Sequence, residues 1–302
     1  KAPHPEISNN TACPYAQAFP YAIHSSVDLK KRHVEVLQPI LHFGFGRDHL
    51  EKELADFGKA LHRRPKQVKK GLEKAERFQG FFYQTLLNRG KEILDQIGPD
   101  EKVMVIVGRP YNSCDSGVNL EIPKKLRDLG VLPIPMDFLP LDSVKPSEEI
   151  REMYWRYGQK MLAAGRIINE DPRLYAVHIT NFGCGPDSFI SHFFRDLSKE
   201  KPYLQLEIDE HSADAGAITR CEAFLDSLKN VKAKKGLSLK REKAKTDRTK
   251  KIYIPYMCDH SFAVAAAFEA CGVEADVFPE SDEETLYWGR KLTSGKECYP
   301  CI

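Results

Sequence analysis

Two hydrophobic patterns divide the chain into a helical part and an α/β part. Between residues 34 and 97, apolar side chains recur every three or four positions, which is typical of amphipathic helices. From residue 102 onward, short apolar runs alternate with helical patterns, beginning with the unbroken run VMVIV at 103–107. Such a run indicates a strand that is buried on both faces of a parallel sheet. The pattern therefore predicts an α/β fold with parallel sheets and an N-terminal helical subdomain.

The alternation of strand and helix patterns continues to residue 278. The run at 103–107, the helical segment 119–129 and the run at 131–135 predict a βαβ unit, whose crossover should be right-handed. Further along, the pattern predicts helix 147–168, strand 174–180, helix 189–197, strand 203–208, helix 217–228, strand 252–257, helix 262–271 and strand 273–278.

These elements group into four segments. Residues 1–100 form an N-terminal arm and helical subdomain, 101–228 a first α/β lobe, 229–251 a basic linker, and 252–302 the start of a second lobe. The linker has Lys or Arg at 11 positions and few large apolar residues. No aromatic residues interleave with these charges, so an exposed linker is favoured over a nucleic-acid-binding tail. We expect the second lobe to be truncated and the chain to be a piece of a longer polypeptide.

Composition and charge narrow the class of protein. The net charge of +2 gives no general case for nucleic-acid binding, and no apolar run approaches the roughly 18 residues of a membrane span. We find no signal peptide and expect a cytoplasmic protein, with oligomerisation left open. Eight cysteines in 302 residues are too few for a disulfide framework. In a reducing compartment, such cysteines are buried, metal-binding or redox-active.

Three cysteine segments with neighbouring Gly or Pro suggest a shared site. Cys184 lies in GCGP, just after a predicted strand, where Asp187 or Ser188 can cap the next helix. Cys13 precedes a proline in the N-terminal arm, and Cys298 lies in a C-terminal loop with cations and glycines. Wide spacing argues against a zinc ribbon and suits a [4Fe–4S] cluster on three cysteines. Each segment taken alone is also compatible with a buried cysteine.

Polar residues that follow predicted strands are candidates for the same site. Arg109 comes directly after the strand 103–107, and Glu210 and His211 follow the strand 203–208. Parallel strands bring such residues to one edge of the sheet, where α/β folds bind ligands. Glu210 and His211 could act as acid–base groups or orient the site, or cap a helix and remain solvated. Arg109 could equally satisfy backbone carbonyls.

Other histidines and cysteines fit packing better than chemistry. The histidines of the helical part are scattered, and no carboxylate or cysteine spacing accompanies them, so we interpret them as solvated or packed. Cys221 and Cys271 lie in predicted helices and are expected in the core. The histidines in question are His42, His49 and His62.

A family resemblance rests on five segments: TACPY at 11–15, GRPYN at 108–112, NFGCGPDS at 181–188, EHSADAG at 210–216 and GKECYP at 295–300. They resemble the uncharacterised domain that is fused to activators of 2-hydroxyacyl-CoA dehydratases, the CoA-substrate-specific enzyme activases. That domain is similar to the dehydratase subunits themselves and to benzoyl-CoA reductase subunits. The resemblance implies two Rossmann-like lobes and a [4Fe–4S] cluster on Cys13, Cys184 and Cys298, with Cys301 close enough to substitute for Cys298.

The resemblance also implies a function. The leading hypothesis is an iron–sulfur redox module of an ATP-coupled, low-potential electron-transfer system, which needs an activator ATPase domain or subunit as its electron donor. One alternative is a dehydratase- or reductase-like catalytic subunit that binds an acyl-CoA thioester, with Arg109, Glu210 and His211 as polar groups. A third hypothesis, from another class, is a metal-free α/β interaction domain.

Overall fold

The fold is α/β, and its sheets are parallel as predicted. A computed structural model describes residues 11–29, 31, 33–181, 183–198, 201–209, 212–229 and 249–292. The chain divides into two compact units, Lys1–Ser238 and Leu239–Ile302. The first unit contains a four-stranded parallel sheet and the second a two-stranded parallel sheet.

The sheet of the first unit has the strand order β2-β1-β3-β4. Its central strands are the most hydrophobic, and Val105 of β1 lies in register with Ile134 on one side and Ala176 on the other. All five residues of β1 are buried, as the unbroken apolar run indicated. The strands are β1 Val103–Val107, β2 Leu132–Pro135, β3 Leu174–Asn181 and β4 Leu204–Ile208.

Helices surround this sheet and extend beyond it. An N-terminal helix α1 precedes a hairpin of two helices, α2 and the long α3, and the remaining helices connect or follow the strands. The helices are α1 Pro14–Ser26, α2 Arg47–Ala60, α3 Pro65–Gln96, α4 Pro110–Cys114, α5 Ile122–Asp128, α6 Glu148–Glu152, α7 Arg156–Glu170, α8 Gly185–Leu197 and α9 Asp214–Leu228.

Each face of the sheet buries its own core because successive side chains of a strand point to opposite faces. Val105 belongs to a core with α7 and α8, where Phe194 is fully buried. Met104 and Ile106 belong to the opposite core, with α5 and α9. Burial of one such side chain stabilises the fold by roughly 1.5–3 kcal/mol. Cys221 is buried in this second core, as predicted.

The strand order creates a switch point between β1 and β3. The chain leaves β1 towards β2 on one side, whereas it leaves β3 towards β4 on the other. A crevice opens at such a point beyond the carboxyl ends of the strands, and α/β proteins bind ligands there. Arg109 follows β1 and Cys184 follows β3, so the topology brings both residues to this crevice.

The predicted helix 147–168 is interrupted, and the prediction of one continuous helix is wrong. Residues 153–155 separate α6 from α7, and Trp155 forms a β-bridge with Thr11. The Thr11 N–H donates to the Tyr154 carbonyl at 2.8 Å, and the Arg156 N–H donates to the Thr11 carbonyl at 3.3 Å. A helical backbone would have used these groups internally, so the break is what anchors the N-terminal arm.

The long helix α3 contacts the rest of the unit through a glycine. A Cβ atom added at Gly90 would lie 2.1 Å from the Phe138 carbonyl oxygen and 2.7 Å from its Cβ. Because backbone lies in the way, even one methyl group would force the helix and the 136–138 segment apart. At Gly80 of the same helix, in contrast, an added Cβ would have no atom of another described segment within 4 Å.

We expect Gly90→Ala to lower the free energy of unfolding by about 1–3 kcal/mol, the usual cost of overpacking. The matched variant Gly80→Ala should raise it by roughly 0.5–1 kcal/mol, since alanine is the better helix former at an open position. Urea unfolding of the two variants measures both values. Equal effects of the two substitutions would contradict the close contact between α3 and Phe138.

The second unit begins with the βαβ arrangement that the pattern predicts. Its two strands pair in parallel, with Tyr253 opposite Asp276. Cys271 follows the connecting helix and is exposed, so its predicted place in a core is wrong. The elements are β5 Ile252–Ile254, α10 His260–Ala270, β6 Ala275–Val277 and α11 Glu283–Leu292.

Over the described ranges of both units, none of the helices combines the length and the apolar character that a membrane crossing requires.

Candidate functional site

The structure brings together three of the residues that the sequence proposed for the site. Cys13, Arg109 and Cys184 meet at the switch point, although they come from distant parts of the chain. The other candidates lie outside the described residues and stay predictions: Glu210, His211, Cys298 and Cys301.

Cys13 reaches the site through the anchored arm. Thr11 pairs with Trp155, and two residues later Cys13 is the N-cap of α1. Its Sγ accepts a hydrogen bond from the Ala16 N–H at 3.4 Å, and Pro14 occupies the first helical position, where its missing N–H costs nothing. The Cys-Pro dipeptide is thus a helix start, which the sequence analysis did not anticipate.

Cys184 is placed by a tight turn between β3 and α8. Gly183 adopts a φ of 74°, a left-handed conformation that glycine adopts at little cost. The Cys184 N–H donates to the Asn181 carbonyl at 3.2 Å, and Cys184 is the N-cap of α8. Its side chain therefore lies at the carboxyl edge of the sheet, beside a helix N-terminus.

Arg109 is held rigidly by a buried ion pair. Its Nε donates to Asp187 Oδ1 at 2.9 Å, and the two residues are only 6% and 2% exposed. Asp187 Oδ2 also accepts from the Asn181 N–H at 3.4 Å, so the carboxylate ties α8 to the end of β3. Asp187 was predicted as a possible cap of α8; instead, it positions the guanidinium.

The other nitrogens of the guanidinium face the two sulfurs. Arg109 Nη2 lies 2.7 Å from Cys184 Sγ, and Nη1 lies 3.7 Å from Cys13 Sγ. One planar group thus contacts a carboxylate and both thiol groups at once. The two sulfurs therefore lie beside the same guanidinium, and both cysteines are partly buried.

Burial dominates the electrostatics of these groups. It raises the pKa of the Cys184 thiol, and the Asp187 carboxylate adds to that shift while Arg109 opposes it. Burial likewise raises the pKa of Asp187, against the pull of Arg109. Burial alone would lower the pKa of Arg109, but the nearby acidic groups, above all Asp187, outweigh burial and raise that pKa. Tyr111 packs beside the guanidinium, and burial raises its pKa to about 12.

The arrangement is suited to an anionic ligand that sulfur can bind. The N-termini of α1 and α8 both begin at the cysteines, and each carries a partial positive charge. Arg109 adds a guanidinium that is fixed in place, and its charge is paired with the buried Asp187 carboxylate. Two thiol groups in this field fit an iron–sulfur cluster, whose core and thiolate ligands carry net negative charge. They do not resemble an activated nucleophile, since the pKa of Cys184 is raised.

Two parts of this site could not be predicted from the sequence. Asp187 is one of many carboxylates, and only the fold shows that it is buried against Arg109. The pairing of Thr11 with Trp155 is a contact between distant backbone segments that no local pattern encodes.

The structure describes part of the polar loop that follows β4. There the Ser212 hydroxyl donates a hydrogen bond to the Asp209 carboxylate at 2.9 Å.

Comparison with known families agrees with part of the resemblance. Residues 1–139 match the family described as the CoA enzyme activase uncharacterised domain. This stretch includes Cys13 and Arg109 and ends before Cys184. The comparison therefore shows a similarity of residues 1–139 to this uncharacterised domain. No curated protein and no solved structure matches the chain.

Proposed function

We propose that this chain is an iron–sulfur redox module, in which Cys13 and Cys184 bind a [4Fe–4S] cluster and Cys298 serves as a third ligand. An activator ATPase would supply its electron, in keeping with the relation of residues 1–139 to CoA enzyme activases. The observation that carries the proposal is the meeting of two cysteine sulfurs, from distant segments, on the guanidinium of Arg109.

The charge of the site supports this choice of ligand. A cluster with thiolate ligands is anionic, and the two helix N-termini would offset part of that charge. Arg109 would also donate hydrogen bonds to the ligand sulfurs, an interaction that tunes the reduction potential of such clusters. Asp187 is a positioning residue in this proposal because it holds the guanidinium through Nε.

The thiol chemistry also favours ligation over free reactivity. At neutral pH the raised pKa keeps the free Cys184 thiol protonated. Binding to iron removes that proton, since a coordinating thiol is deprotonated outright. A [4Fe–4S] cluster supplies one-electron redox chemistry when it is bound. The chain itself would contribute the cysteine ligands and their orientation.

Anaerobic reconstitution of the full chain with iron and sulfide should give about four Fe per chain, the content of one cluster. Cys184→Ser and Cys13→Ser should each lose most of this iron and sulfide, because each variant removes one sulfur from the site. Chemical analysis of iron and acid-labile sulfide measures the loss.

The matched control is Cys271→Ser, which changes an exposed cysteine in the second unit. It should bind as much iron and sulfide as the unmodified chain. Failure of the unmodified chain to take up a cluster, or equal losses in Cys271→Ser and Cys184→Ser, would contradict the proposal. That outcome would favour the metal-free interaction domain instead.

The electron donor is tested separately. With ATP, a low-potential reductant and an activator ATPase, the reconstituted chain should develop the EPR signal of a reduced cluster. Omission of ATP should abolish the signal. A signal of the same size without ATP would still show that the chain binds a cluster, but it would exclude ATP-coupled electron transfer.

A further inference from the structure

A second group of potential metal ligands lies in the helical part of the first unit. His42 Nδ1 is 2.5 Å from Glu53 Oε1, and His49 Nε2 is 3.0 Å from the same oxygen. The three ligand atoms, one from each residue, all lie within 4.8 Å of one another. The sequence analysis found no carboxylate beside these histidines, but the structure shows that Glu53, four residues after His49 on α2, contacts both His42 and His49.

Local structure orients each of these side chains. His49 and Glu53 lie one turn apart on α2, so they share one face of the helix. His42 precedes a 3-10 turn that ends at Gly46, and this turn brings the imidazole back onto the helix. The His42 N–H also donates to Glu53 Oε2 at 2.8 Å, which leaves Oε1 to face both imidazoles.

An aromatic ring fixes the two imidazoles relative to one another. Phe45 stacks on His42 with ring centroids 4.9 Å apart and meets His49 edge to face at 5.1 Å. The Glu53 side chain is only 17% exposed, whereas both histidine side chains are 46% exposed. The carboxylate is thus shielded, and solvent reaches the group from the histidine side.

We propose that His42, His49 and Glu53 form a zinc site that is separate from the cysteine site. Two imidazoles and one carboxylate are the donor set of zinc centres that keep a fourth position open for water or another ligand. Ligand atoms of a tetrahedral zinc ion lie about 3.3 Å apart, given bonds of about 2.0–2.1 Å. The observed N–O separations of 2.5 and 3.0 Å would open by less than about 1 Å, and the two imidazole nitrogens, which lie within 4.8 Å of each other, would approach by at most about 1.5 Å.

The bound ion would connect two parts of the chain. The segment 34–42 has no helix or strand, and His42 ends it. Coordination to His49 and Glu53 would fasten this segment to α2 at one point. The donor set includes no sulfur, which distinguishes this site from the cysteine site and makes the proposal independent of the proposed cluster.

Zinc titration of the chelator-treated full chain, followed by calorimetry, tests the site. His49→Gln and Glu53→Gln should each weaken one class of zinc binding at least about tenfold, since each removes a ligand. His192→Gln, which changes an exposed helical histidine, and Cys184→Ser should leave that class unchanged. Unchanged zinc binding in Glu53→Gln, with a native circular dichroism spectrum, would overturn the proposal and leave an ordinary histidine–carboxylate ion pair.

A second measurement needs no variant, in case a substitution disturbs the fold. The unmodified chain is treated with diethyl pyrocarbonate, with and without zinc, and the modified histidines are identified by mass spectrometry. Zinc should slow modification of His42 and His49 at least about fivefold relative to His192, because coordination withdraws the ring lone pair. Equal rates with and without zinc at these two histidines would overturn the site.

Discussion

Arg109→Met is expected to lower the free energy of unfolding of the first unit by about 3–5 kcal/mol. Asp187 is 2% exposed and its Oδ1 accepts from Arg109 Nε at 2.9 Å, so the substitution leaves a carboxylate buried without its charge partner. Removal of one member of a buried ion pair costs about this much, because the remaining charge has already lost its hydration.

The double variant Arg109→Met/Asp187→Leu separates this cause from a loss of packing. Replacement of a buried pair by apolar residues of similar size is often neutral, so the double variant should recover most of the lost stability. Arg89→Ala is the exposed control, since Arg89 and Glu92 form an ion pair with both side chains 59% exposed. Its effect should stay below about 1 kcal/mol.

Urea unfolding, followed by the fluorescence of Trp155 in a Trp288→Phe background, measures these changes in the first unit. A double variant that is no more stable than Arg109→Met would show that the guanidinium acts by packing. The same variants also bear on the cluster, since Arg109 contacts both sulfurs. Reconstitution of the stable double variant should give less cluster than the unmodified chain.

The second large effect concerns pH, and we expect His178 to make the first unit less stable in mild acid. His178 lies in β3, is 0% exposed and packs on Phe194 with ring centroids 4.9 Å apart. Neither ring nitrogen has a hydrogen-bond partner within the described part of the chain. Burial lowers its pKa from 6.5 to about 3, because a charged imidazole there would lose its hydration.

The sign of the pH effect follows from which state binds the proton. Between pH 6.5 and about 3, unfolded His178 is protonated whereas folded His178 stays neutral. Acid therefore favours the unfolded state, and stability falls with pH by about 1.4 kcal/mol for each pH unit below 6.5 from this residue alone. Above pH 6.5 the histidine is neutral in both states and makes no pH-dependent contribution.

His178→Phe should remove this dependence. Phenylalanine fills a similar space against Phe194, has no titrating group and leaves no polar atom unpaired. The unfolding free energy of the variant, measured by urea at pH 7, 6, 5 and 4, should fall by about 1.4 kcal/mol less per pH unit than that of the unmodified chain. His192→Gln, at an exposed position of α8, is the control and should retain the slope. Equal slopes in His178→Phe and the unmodified chain would show that His178 is protonated in the folded state.

Much of the fold followed from the sequence because its signals are local. Unbroken apolar runs identified β1 and β3, and the helical period identified α2 and α3. The interruption between α6 and α7 escaped prediction because it serves a contact with Thr11, far away in the chain. The exposure of Cys271 was not predicted either, because a helical pattern does not report whether another segment covers the residue.

Part of the candidate site was likewise predicted from local sequence signals, and part was not. The residue types beside Cys184 indicated a turn and a helix start, and the position of Arg109 after a buried strand indicated the crevice, whereas the helix start at Cys13 was not predicted. The sequence analysis overlooked the carboxylate of Glu53, four residues after His49, whereas the contact of Glu53 with His42 depends on the turn that precedes α2. Spacing along the chain does not report such a turn.

The sequence by itself determined the α/β class, the parallel strands and the suspicion that Cys13 and Cys184 act together, because periodicity, glycine and proline act within a few residues. Only the tertiary structure decided that these sulfurs meet on Arg109, that Asp187 holds it, and that His178 is buried with no hydrogen-bond partner among the described residues. These are contacts between segments distant in sequence, and they depend on strand order and on the charge and burial that packing creates.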